Sequence, residues 1–319
     1  GEGEKGDAVQ EDFEVSTPHS PLPLPLRMEI SLTEIDRQLL QGTLAASKAQ
    51  PFGMALKKGP AIAKPEHMES LQKIETDLGA LESGEWEIET DQDVMRMMKA
   101  VQGRGLVSVA FRILEAVRSQ GIDVKPQLIT SALLTCAKAG SFRLAFYVLK
   151  KHAEQSSKGL KLDTQMYNAL LDACLKAEEG PQLQVMLALL QEMKTHKEES
   201  RGKGKERGKA SWQRTGGTVE NNVGPDAITY CAITSACATC ARPDTALELW
   251  KDMKLEGMRP SGYVSLQVLR ACEESKEPQR ALSFFDGILL EAEQQSADRA
   301  VEFVWPLHFG IAVGACLVP

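Results

Sequence analysis

The sequence predicts an all-α protein, an α-solenoid of stacked helix–turn–helix repeats with a period of about 35 residues, preceded by a low-complexity N-terminal arm. Two observations predict it. An apolar stripe at i, i+3, i+4 and i+7 recurs from starts at Asp91, Pro126, Thr164, Ala227, Gly262 and Pro306. A second stripe then follows in each of the first five units. Neither stripe can be buried within one helix pair, whereas stacked pairs share a continuous core.

The first stripe begins at the fourth residue of each unit: Val94, Ile129, Tyr167, Tyr230, Ser265 and Phe309. It ends at Val101, Cys136, Cys174, Cys237, Cys272 and Cys316, so five of the seven cysteines occupy one slot. That slot explains them as small buried hydrophobes in a reducing compartment. The second stripe runs Ala110, Ile113, Leu114, Val117 in unit one, and Ala246, Leu249, Trp250, Met253 in unit four. Turn residues separate the two helices, as in "KAGS" with Gly140 and "CARPD" with Pro243.

Residues 1–65 read as a largely disordered arm, acidic and then Pro-rich. One short helix is expected in "SLTEIDRQLLQ", with Ser31 and Glu34 as a capping box. A lead-in helix fills 66–90, with Met68, Leu71, Ile74, Leu78 and Leu81 along one side. The array proper occupies 91–319, its sixth unit at 306 being partial. The starts are 35, 38, 63, 35 and 44 residues apart, and the longest interval holds a basic loop insertion at about 195–222. A loop between units adds little closure entropy per extra residue. The start at Gly1 reads as a fragment or a processed form.

The net charge of −7 argues against a general nucleic-acid binder. The insertion carries seven Lys/Arg against four Glu, which leaves the rest of the chain near −10. Arg201, Lys203, Lys205, Arg207 and Lys209, with Trp212 nearby, suit phosphate tracking and base stacking. Catalytic readings fail on their own terms. His152 and Glu154 with Cys237 and Cys240 imitate a deaminase signature, but His152 lies on a core stripe and Ala236 stands where that signature has Pro. Zinc binding by Cys231, Cys237 and Cys240 lacks a fourth ligand nearby. "GKGKERGK" lacks the glycine spacing of a phosphate loop, and Ala210 stands where the magnesium hydroxyl belongs. No catalytic residue, cofactor or metal is expected. The apolar end at 301–319 is short for a membrane span and interrupted by Glu302, Pro306 and His308, so no membrane partner is expected.

The segment "DAITYCAITSACATCARPDTALELWKDMKLEGMRPS", Asp226 to Ser261, resembles the pentatricopeptide repeat (PPR) family. Thr229–Tyr230 opens the first helix, "ALELWKDM" forms the second, and "EGMRPS" closes the unit. Tetratricopeptide repeats fit less well, because their Trp/Leu-Gly/Tyr pattern is missing. The resemblance implies single-stranded RNA binding in a mitochondrion or chloroplast, one base per unit. It implies that the fifth residue of a unit and the last residue before the next read the base together. Those pairs are Thr130 with Asp163, associated with guanine, Asn168 with Asp226, associated with uracil, and Cys231 with Ser261, outside the usual code. Met95 with Lys125 and Leu266 with Trp305 are also outside it. Lys138 and Lys176 take the family's phosphate-side position. The second residue of each unit should sandwich the base; Ile228, Tyr263 and Leu307 suit that role, and Gln127 and Gln165 do not. The expected function is non-catalytic RNA binding in organellar processing, stability or translation. The alternative is a protein-binding scaffold or structural subunit of an organellar assembly such as a ribosome, with protein partners covering the C-terminal end.

Overall fold

The structure, a computed structural model, describes residues 23–41, 73–80, 83, 91–155, 162–206 and 223–294. The expected sixth unit from 306, with Leu307, Phe309 and Cys316, lies outside them, as do Met68, Leu71 and Leu81 of the lead-in helix. Helices are the only regular elements among the described residues. Two belong to the arm, α1 (Leu24–Arg27) and α2 (Glu34–Gln41), and α3 covers 73–80. Five pairs follow: α4 (Asp91–Gln102) with α5 (Val107–Ser119), α6 (Pro126–Lys138) with α7 (Phe142–Gln155), and α8 (Thr164–Leu175) with α9 (Leu183–Glu206). The last two are α10 (Ala227–Thr239) with α11 (Pro243–Leu255), and α12 (Gly262–Glu274) with α13 (Pro278–Gln294).

Each pair starts where the sequence supplies a helix start. Asp163, Asp226 and Ser261 cap α8, α10 and α12, their side chains accepting from the backbone N–H three residues on. Pro126 and Pro243 occupy the first position of α6 and α11, where no N–H is needed. The turn inside each pair has one residue at positive φ, the fifteenth of units one, two, four and five and the seventeenth of unit three, whose turn is longer. Gly105, Gly140 and Gly180 supply it in the first three units, and Ala241 and Lys276 adopt it in the last two.

The first helices pack directly on one another, α4 on α6, α6 on α8, α8 on α10 and α10 on α12. Each of α5, α7, α9 and α11 packs on the first helix of its own unit and on that of the next. The result is a two-layer solenoid with one core running from the arm to α12. The stripe cysteines Cys136, Cys174, Cys237 and Cys272 are fully buried. Burial pushes their thiols up, Cys136 and Cys237 to about 12 and Cys272 to about 11, so they stay protonated packing groups. His152 is buried on α7, where Arg118 donates to its Nδ1 at 2.9 Å. Burial first, and then the Arg118 charge, lower its pKa.

Two features depart from the sequence expectations. The arm carries a second helix, α1, in its Pro-rich part. Both arm helices lie on the second-helix layer, α1 against α7 and α9, α2 against α5 and α7. Leu24, Met28 and Leu39 are buried there. The start of α2 is held by Thr33 and Asp36 rather than by Ser31 and Glu34. Thr33 N and Oγ1 each donate to Asp36 Oδ2 at 2.8 Å. Asp36 is itself buried and accepts from Ser141 Oγ at the start of α7. Arg143 then bridges the Ser31 carbonyl at 3.2 Å and the Glu179 carboxylate at 3.0 Å.

The second departure is the insertion. The sequence reads as loop from about 195, but α9 continues as helix through Glu206. Once a helix is nucleated, each added residue gains a hydrogen bond at small cost, and Lys, Glu and Arg propagate it readily. Lys194 Nζ bonds Asp252 Oδ2 at 2.6 Å and Lys197 pairs with Glu256, fixing this extension to α11. The chain returns beside α8, where Thr164 Oγ1 donates to the Gly224 carbonyl at 3.3 Å, so α8 and α10 stack as if adjacent in sequence.

Candidate nucleic-acid interface

Lys125, Asp163, Asp226 and Ser261, which close units one to four, sit at the N-cap of the next first helix, and in units three and four this brings them beside the fifth residue of their own unit. The clearest case is unit three. Asn168 Nδ2, on α8, donates to Asp226 Oδ1 at 3.1 Å and to Oδ2 at 3.2 Å. Asp226 also accepts from Thr229 N at 2.9 Å, which starts α10. Thr229 Oγ1 accepts from Asp226 N at 3.1 Å and donates to Asn168 Oδ1 at 2.7 Å. Thr229 is fully buried, while Asn168 and Asp226 are half-buried and reach the surface of the first-helix layer.

Unit four repeats the arrangement with weaker groups. Ser261 caps α12 through Val264 N at 3.4 Å and hydrogen-bonds the Cys231 sulfur. Burial raises the Cys231 pKa, and the Ser261 bond opposes that shift, so the group is a thiol with little capacity to read a base. Its walls are better than its code. Ile228 and Tyr263, 64% and 50% exposed, are the large apolar side chains that the described first helices present to solvent. They flank Cys231 in sequence register, and Tyr263 Oη lies 3.0 Å from Ser235 Oγ. Unit three has Gln165 and Ile228 at the same places, both exposed.

Unit two is organised differently. Thr130 Oγ1 donates to the Pro126 carbonyl of its own helix at 3.0 Å, and Asp163 accepts from Met166 N at 2.8 Å. Each partner is thus bonded to its own helix rather than across the boundary. Lys138 and Lys176 are exposed at the ends of α6 and α8, with Lys176 Nζ 2.7 Å from Asp172 Oδ2. Of the basic insertion, Arg201, Lys203 and Lys205 lie on the α9 extension, and Arg207 and Lys209 fall outside the described residues. Met95 and Leu266 are half-buried at the reading position of units one and five, and neither offers a hydrogen bond.

Thr229 as a third member of the unit-three cluster was missed from sequence. The signal was present in Asp226-x-x-Thr229, the spacing of a capping box whose hydroxyl can also reach outward. The reciprocal bonds of that box are formed here.

Among the described residues no group of three His, Cys, Asp or Glu could hold a metal ion. None of the described helices is long and apolar enough to cross a membrane. The stacked pairs define a helical-repeat protein of the α-solenoid class. A family model for the PPR repeat matches residues 228–258, the unit built from α10 and α11. The chain therefore carries a pentatricopeptide repeat at α10 and α11 within an array of like helix pairs, and such a repeat suggests an RNA-binding helical-repeat protein. No curated protein sequence matches the chain.

Proposed function

We propose that the protein is a non-catalytic single-stranded RNA-binding PPR protein of organellar RNA metabolism, acting in a mitochondrion or chloroplast in transcript processing, stability or translation. The observation that carries this reading is the Asn168–Asp226 pair, hydrogen-bonded across a unit boundary at the surface of the first-helix layer. A carboxamide beside a carboxylate offers donor and acceptor together, which is what a base edge requires. Lys138 and Lys176 line the same layer for phosphates, and the basic residues from Arg201 to Lys209 supply attraction that an otherwise acidic chain lacks.

One observation favours the scaffold reading: Leu282 and Leu290, 41% and 58% exposed, lie on α13 at the last described unit. Protein partners covering that end are compatible with RNA binding along the middle of the array.

The test is equilibrium binding of the full chain to a randomised single-stranded RNA pool across a salt series, with sequencing of the bound fraction. Enrichment of G followed by U, lost in a Thr130→Ala/Asn168→Ala double variant, is expected. Binding without enrichment that vanishes on deletion of 195–222 would reduce the RNA contact to charge. Absence of binding at low salt would overturn the proposal in favour of the scaffold.

A further inference from the structure

Asp226, Thr229 and Asn168 form a closed ring of directed hydrogen bonds, and each direction is forced. An ionised carboxylate only accepts, so the Asn168 nitrogen must face Asp226, where it lies 3.1 and 3.2 Å from the two oxygens. The Asp226 backbone N–H donates to Thr229 Oγ1 at 3.1 Å, filling a lone pair of that hydroxyl. Its single proton then has two acceptors in range, Asn168 Oδ1 at 2.7 Å and Asp226 Oδ1 at 3.0 Å. The shorter bond is to Asn168, and Asp226 Oδ1 is already supplied by Thr229 N and Asn168 Nδ2. The carboxamide is therefore held at both ends, oxygen on Thr229 and nitrogen on Asp226.

We infer that Thr229 is a positioning residue that fixes the orientation of the Asn168 carboxamide and thereby sets the base preference of unit three; this rests on the RNA reading proposed above. Thr229 is fully buried and touches no base. Its effect passes through what the ring leaves unused: one N–H of Asn168, one lone pair of its oxygen, and acceptor capacity on Asp226 Oδ2. A uracil edge, with its N3–H between two carbonyls, donates into that acceptor set and accepts the remaining N–H. A cytosine edge places the N3 lone pair against the same acceptors. If the amide turned over, its nitrogen would leave the carboxylate and this distinction would weaken. Asp226 opposes that turn at the nitrogen end and Thr229 at the oxygen end, and Thr229 adds the hold that keeps a single orientation.

The experiment compares two short RNAs, taken from the selected pool and differing only in U or C at the unit-three position, on the full chain and its variants. Thr229→Val keeps shape and removes the hydroxyl; Thr229→Ser restores it. The U-over-C preference should fall on the order of tenfold in Thr229→Val, the scale of one well-formed base contact, and return in Thr229→Ser. A preference unchanged in Thr229→Val but lost in Asn168→Ala would overturn the role of Thr229 and leave the RNA reading standing. A wild-type protein with no U preference would overturn both. A readout without RNA stands beside these: in the unmodified protein one side-chain NH2 proton of Asn168 should be shifted downfield and exchange with water more slowly than in a free asparagine side chain. Carboxamide protons with the shifts and exchange rates of a free asparagine side chain would overturn the inference even if Thr229→Val failed to fold.

Discussion

Ala241 occupies the turn position that glycine fills in the first two units, at φ +51°. An L-residue with a Cβ is disfavoured there by about 1–2 kcal/mol relative to right-handed helical backbone. Ala241→Gly removes that strain but loosens the unfolded chain, which costs back about 0.4–1 kcal/mol. The net is a stabilisation of roughly 0.5–1 kcal/mol. In a domain of this size each kcal/mol moves Tm by about 2–4 °C, so calorimetry should find a rise of about 1–4 °C. Lys276→Gly, at φ +58° in the next unit, should behave alike, and the pair should sum because the two turns are in different units. Gly140→Ala is the opposing control. Its φ is +77°, and a Cβ would stand 3.0 Å from the Glu178 side chain and 3.5 Å from the Lys176 carbonyl, so strain and crowding both destabilise. A fall in Tm for both glycine substitutions, with Gly140→Ala neutral, would refute the assignment of strain to this turn.

Asp36→Ala removes the acceptor shared by Ser141 Oγ, Thr33 N and Thr33 Oγ1 in a buried site, and should cost about 2–4 kcal/mol in chemical unfolding. The loss should appear in hydrogen exchange first on α5 and α7, where α2 packs; loss confined to α12 and α13 would contradict it. His152 has a folded pKa below its ordinary 6.5, so the unfolded chain binds a proton that the native state refuses as pH falls. Its stabilising effect is complete above 6.5 and is lost progressively below it. The urea midpoint should therefore drop between about pH 7.5 and 5.5 by less in His152→Leu than in the unmodified protein, and equal drops would discount His152 as the titrating group.

The stripes were legible because burial imposes a 3.6-residue period that survives any choice of apolar side chain. Cys136, Cys174, Cys237 and Cys272 fell into place by position alone. The pairing of Asn168 with Asp226 was also legible, but only through the repeat: 58 residues and an insertion separate them, and no local pattern joins them. The docking of the arm had no such register to betray it. It depends on single contacts such as Asp36 with Ser141, 105 residues away, and Leu24 N with Glu192, 168 residues away. Ser31 and Glu34 matched a capping pattern, yet Thr33 and Asp36 start the helix. Asp36 is the residue that also finds a partner on α7, and tertiary satisfaction of a buried carboxylate outweighs a local motif.

Asp163, Asp226 and Ser261 begin α8, α10 and α12. If the same side chains recognise bases, the vocabulary of the interface is restricted by helix chemistry before any nucleotide is present. Asn, Asp, Ser and Thr are the short oxygen-bearing residues that start a helix well, and replacement by Ala costs about 0.5–2 kcal/mol. A redesign of unit three or four toward another base can move among these four at little structural expense. Beyond them it must supply a different start for the helix, as Pro126 does after Lys125 in unit one. The grammar of the fold thus limits its dictionary, most strictly where recognition and folding use the same atoms.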